Sequence, residues 1–172
     1  MSATTPGKAD SSNPDRATIL DALHESYDGP SWHGPSVVEA LDGVDARAAA
    51  YKLDADRNSI LELVLHLAHG RHLVIERITG APIEPFPRSL REPWWPVPNV
   101  TPTDEDWRND RALLDGYHRR LLDTIRGATD AQLARVPPEG GGYSVARQLV
   151  GMALHDTYHA GQVRLLALLR KP

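Results

Sequence analysis

The sequence predicts an all-α fold: a four-helix bundle with short accessory helices and one long Pro-rich loop. Three observations carry the prediction. Apolar residues recur at helical spacing in four long segments, helix-capping residues open most of them, and no segment alternates strictly with period two.

The elements follow in order. Residues 1–14 are polar and small, with no apolar run of secretory type, and are expected to be a disordered lead-in. Residues 15–172 are expected to form a single helical domain, within the size one core can serve. Asp15 to Tyr27 sets Ile19, Leu20, Leu23 and Tyr27 at helical spacing, and Gly29-Pro30 stops it. A turn carries Trp32 and His33, Ser36 caps a short helix through Leu41, and Asp45 to Tyr51 reads as another.

The second long helix opens on a capping box, Ser59-Ile-Leu-Glu62, and Gly80 closes it. Ile60, Leu63, Val64, Leu67, Val74 and Ile78 form its apolar stripe. Residues 81–102 hold seven of the fourteen prolines together with Trp94 and Trp95. No helix passes through that density, so the segment is a long loop, and its paired tryptophans predict that it is ordered. The third long helix starts near Thr103 with three acids in its first turn, Asp104, Glu105 and Asp106, which suits the helix dipole. Its stripe is Trp107, Leu113, Leu114, Tyr117, Leu121 and Ile125. Thr129 to Gln132 is a second capping box, on a short helix that Pro137-Pro138 ends. The last helix runs from the cap Ser144 to about Arg170 with Val145, Leu149, Met152, His159, Val163 and Leu166 inward.

Composition narrows the chemistry. The chain has no cysteine and eight histidines, so disulfides, thiolate metal sites and cysteine nucleophiles are excluded. A metal would be held by His, Asp or Glu. Nineteen basic against 23 acidic residues give −4, which argues against nucleic acid and anionic membrane surfaces. No run of 18 apolar residues predicts a membrane span, and the cytoplasm is the expected location.

His155 and His159 stand at i and i+4 inside the last helix. Four residues turn a helix by about 400°, so both rings leave one face about 6 Å apart along the axis and can converge on one cation. The alternative is a pair of core histidines satisfied by carbonyls. In the second helix His66 lies on the apolar stripe, and His69, about 60° round, competes with it as a third ligand. His72 points to the opposite side and is expected in solvent. His24 and His118 read as ordinary surface residues.

The stretches Asn58-Ser-Ile-Leu-Glu-Leu-Val-Leu-His66-Leu-Ala and His155-Asp-Thr-Tyr-His159-Ala-Gly-Gln162-Val-Arg-Leu-Leu resemble the second- and last-helix signatures of the DinB/YfiT-like metalloenzyme family. The segment around Trp32-His33 is similar to members of it as well. The resemblance spans about residues 15–170. It implies a four-helix bundle, often a homodimer, with nickel or zinc held by His66, His155 and His159. His69 stands where relatives often carry an aromatic residue, so the resemblance places it beside the site or facing substrate. Some relatives transfer low-molecular-weight thiols, such as bacillithiol or mycothiol, to electrophiles, and a mycothiol-dependent maleylpyruvate isomerase shares the fold; many are called hydrolases.

An ion on three neutral imidazoles acidifies a bound water or thiol. Asp156 occupies the place of the general-base Glu in His-Glu-x-x-His and is one candidate base. Gln162 lies over the same face as the pair; it is a candidate partner for a metal water or substrate, or else a buried amide bridging two helices. Trp32 and His33 are candidate substrate contacts, with packing as their alternative. Three functions stay open: a thiol transferase or hydrolase acting on a small molecule, a non-catalytic metal-binding stress-related dimer, and a metal-free interaction bundle.

Overall fold

A computed structural model describes residues 13–170. The expected lead-in of residues 1–14 therefore falls almost wholly outside the described residues. Asn13 accepts a hydrogen bond from the Ser144 hydroxyl at 2.6 Å.

Four long helices make the bundle: α1 (Arg16–Tyr27), α4 (Ile60–Thr79), α5 (Asp104–Gly127) and α7 (Val145–Leu169). Three short ones, α2 (Val37–Ala40), α3 (Ala46–Ala50) and α6 (Asp130–Ala134), close its ends. α4 packs against α5 and α7, and α1 packs against α7 and α5, which closes the ring. The shared core holds Ile19 and Leu23, Leu63 and Leu67, Leu114 and Leu121, and Leu149 and Val163. No helix among the described residues is long and apolar enough to cross a membrane.

The helix starts are set by local chemistry. Ser59 Oγ accepts from the Glu62 N–H at 3.2 Å, and Glu62 accepts from the Ser59 N–H at 2.8 Å. Thr129 with Gln132, Ser36 with Glu39, and Thr103 with Asp106 make the same reciprocal pair. Each box satisfies two orphan N–H groups, which is worth about 1 kcal/mol per cap. Gly80 ends α4 at φ 75°, a left-handed conformation that glycine takes without strain.

The Pro-rich loop is ordered and carries structure that period-two counting missed. Leu90–Glu92 (β1) and Trp95–Pro96 (β2) form a short antiparallel ribbon, which packs on α4. Such a piece is too short to show alternation. The loop explains why α4 is buried on nearly all sides. His72, expected in solvent, is 6% exposed because Phe86 of the loop and Tyr117 of α5 cover it. His118, expected at the surface, is 1% exposed. It continues the spacing of Leu114, Leu121 and Ile125 and so lies on the inner stripe of α5.

Candidate metal centre

His66 on α4 meets His155 and His159 on α7 where the two helices run antiparallel. His155 Nε2 lies 3.0 Å from His66 Nε2 and 2.9 Å from His159 Nε2. Donors bound at 2.0–2.1 Å to one ion stand roughly 2.8–3.4 Å apart, for angles between octahedral and tetrahedral. Both distances from His155 fit, and all three donors lie within 4.8 Å of one another.

The protons decide what the cluster asks for. His66 Nδ1 is 2.7 Å from the Trp94 carbonyl, which only accepts, so Nδ1 carries the proton and Nε2 presents a lone pair. His159 Nδ1 donates to Gln162 Oε1 at 2.6 Å, which likewise leaves its Nε2 bare. His155 Nε2 thus faces two lone pairs and can donate a proton to only one. Extra protons are not available to fill the gap. Burial pushes His155 down to about 3 and His159 to about 4, and lowers His66 against the Trp94 hydrogen bond. Three neutral imidazoles aimed at one point could hold a cation by the chemistry of their donors.

A model of the DinB superfamily matches residues 31–163. The chain belongs to the DinB superfamily. No curated protein and no solved structure matches it. Among the described residues of this DinB-superfamily chain, the three histidines are the only group of His, Asp and Glu donors close enough to share an ion.

Two of the three ligand candidates are held from behind. The Trp95 ring stacks on His66, with centroids 4.2 Å apart and 15° between planes. The Trp94 carbonyl fixes its tautomer. The place of both tryptophans in a loop that the sequence predicts to be ordered is the signal that points to them. Gln162 Oε1 accepts from His159 Nδ1 at 2.6 Å. It orients His159 from one turn away on the same helix, the outer hydrogen bond that ligating histidines ordinarily make.

Other candidates lie elsewhere. Asp156 is fully buried and pairs with Arg71 Nη2 at 2.6 Å, with the Ser26 hydroxyl at 3.4 Å. Burial raises its carboxyl, and the Arg71 guanidinium and Ser26 oppose that shift. It is a core ion-pair partner and not a base at the histidines, because successive residues of a helix point about 100° apart. His69 is buried against His72 and Phe86 beneath the loop and does not line the groove beside the three histidines. Trp32, 90% exposed, and His33 sit on the turn after α1, and neither lines the groove beside the histidines. A groove of about 390 Å³ opens beside His66 and His155, between α4 and α7.

Proposed function

We propose that this DinB-superfamily chain is a metal-dependent enzyme that activates a thiol or a water, and that its reaction is transfer of a low-molecular-weight thiol to an electrophile. The observation that carries the reading is the triangle of His66, His155 and His159 Nε2 atoms, with more lone pairs than protons. Nickel or zinc suits three imidazoles. A divalent ion held there would lower the pKa of a bound thiol or water and so supply the nucleophile.

The chain's own residues do the rest. Trp94 and Gln162 hold two imidazoles neutral and aimed inward. No fourth protein donor closes the group among the described residues, as a structural site would require. Leu73, Val74, Met152 and Trp94 give the adjoining groove apolar walls that shield a reacting centre from water. The groove holds no Ser, Thr or Lys nucleophile, and the chain has no cysteine, so the sulfur would arrive with a substrate. Hydrolysis with water in place of the thiol is the alternative.

Purified protein is expected to contain a stoichiometric divalent metal by elemental analysis, and His159→Ala to lower that content several-fold. Unchanged content would remove His159 from the ligand set. Loaded protein is expected to conjugate monochlorobimane with one of a panel of low-molecular-weight thiols. A panel without turnover returns hydrolysis to the front.

We also propose a homodimer through α7. Leu154, Tyr158, Leu165 and Leu168 are 56–77% exposed, and with Gly161 between them they recur at the 4-3-4-3 spacing of a helix-pairing seam. Light scattering is expected to give a dimer mass, and Leu165→Glu a monomer. A wild-type monomer would overturn this.

A further inference from the structure

The groove beside the histidines has a composition of its own. It is a slot between antiparallel helices, with His66, Gly70, Leu73, Val74 and Arg77 on the α4 side. Arg147, Gln148, Gly151, Met152 and His155 face them from α7. Trp94 and Tyr143 complete it.

Glycines open the slot. A Cβ on Gly70 would come within 3.6 Å of Met152 Cε, and one on Gly151 would enter open space. Glycine inside a helix costs about 1 kcal/mol relative to alanine, so room here comes at the expense of helix stability.

The charge is one-sided. Arg77 and Arg147 line the end far from the histidines, and no acidic residue lines the groove. Neither arginine has an acidic partner within 4.0 Å among the described residues, unlike the buried Arg71 in the core of the same bundle. Arg77 is instead steadied by Gln148 Oε1 at 2.7 Å and by the Trp94 face, 5.9 Å away. A guanidinium held by neutral groups keeps its affinity for an incoming carboxylate.

We infer that this groove binds an elongated organic carboxylate, with its anionic end on Arg77 and Arg147, its apolar body over Gly70 and Gly151, and its far end at the three histidines. The inference rests on the function proposed above and names the substrate class for it. The length follows from the helix. His66 and Arg77 are eleven residues apart on one face, about 16 Å along the axis. Arg77 reaches Gln148, which stands seven residues before His155 on α7, so the span from the guanidinium to the histidines shortens to about 11 Å. At about 1.2 Å of reach per bond in an extended chain, that is about nine bonds.

Octanoate and methyl octanoate titrated calorimetrically into the full chain test the groove, with and without divalent metal. Octanoate is expected to bind both forms, and the ester at least tenfold more weakly. Arg147→Gln, an exposed change, is expected to weaken octanoate at least fivefold, and Arg77→Gln at least tenfold. Gly151→Leu is expected to abolish octanoate binding while metal content stays unchanged. Acetate and inorganic phosphate are expected not to compete. Equal affinity for acid and ester, or arginine variants that bind like wild type, overturns the inference. A second ligand, 8-mercaptooctanoate, tests the link to the histidines. It is expected to bind at least tenfold tighter than octanoate to metal-loaded protein, and equally to stripped protein. Loaded protein that shows no such gain overturns that link. A chain that takes up no metal yet binds octanoate through its arginines overturns the metal reading and leaves the carboxylate groove standing.

Discussion

His155 and Asp156 are neighbours on α7, yet they belong to two polar clusters with opposite characters. Asp156 joins Arg71, Ser26 and His118 inside the bundle. There the charges cancel: Arg71 reaches Asp156 through Nη2, His118 Nδ1 through Nε and the Leu67 carbonyl through Nη1. The Tyr27 ring stacks on His118, with centroids 3.8 Å apart, and lies 4.8 Å from the Arg71 guanidinium. His155 joins a cluster whose lone pairs outnumber its protons and whose edge opens on a groove. A buried polar cluster that neutralises itself is architecture; one that leaves donors in want of a cation is equipped to bind. Proximity to the histidine motif in sequence was thus a poor guide for Asp156, since one residue of helix rotation moved it to the other cluster.

The contrast can be broken most forcefully from the closed side. Arg71→Met is expected to destabilise the protein by about 3–5 kcal/mol, because it strands a fully buried carboxylate. The double change Arg71→Met with Asp156→Leu should recover much of that loss in urea unfolding. A double variant as weak as the single one would show that the pair does more than neutralise itself.

The open cluster should respond to metal where the closed one does not. Chelation is expected to lower stability by about 4 kcal/mol if free metal stood at a thousandfold excess over its Kd. The same treatment of His159→Ala should change little, and a wild-type melting temperature indifferent to chelator would remove the ion from the site.

Acid reaches both clusters. Burial, with Arg71 beside it, holds His118 down at about 3 in the fold against about 6.5 unfolded. The unfolded chain therefore binds the proton first as pH falls, so stability is full above pH 6.5 and declines toward 3. Between pH 7 and 5 His118 is expected to contribute about 2 kcal/mol of that loss. His118→Gln should flatten the dependence by that share, and a slope unchanged by the variant would contradict it.

The smallest expected effect separates aim from ligation. Gln162→Leu removes only the acceptor behind His159 and should weaken metal binding about tenfold, near 1.4 kcal/mol, with metal-free stability little altered. An unchanged metal affinity would show that packing alone aims the ring.

Some of this was readable along the chain because the causes are local. Capping boxes act within four residues, so Ser59–Glu62 and Thr129–Gln132 marked their helices directly. The i, i+4 geometry of His155 and His159 is likewise a property of one helix. Other features depend on what is laid over an element. His72 was assigned to solvent because the covering loop had no period to read, and His118 because Tyr117 beside it also fits an apolar stripe.

The sequence by itself determined the helices, their caps, the histidine pair, and the absence of any protein thiol. These follow from neighbours within a turn or two and from composition. The resemblance named His66 as the third member, and only the tertiary structure decided that its Nε2 meets the pair, that Trp94 and Trp95 grip it, and that Asp156 faces Arg71. It alone set Arg77 and Arg147 along one groove. Those outcomes depend on the antiparallel register of α4 against α7 and on a loop folded over both. Such long-range packing is decided by how side chains fill the shared core, and no segment encodes it alone.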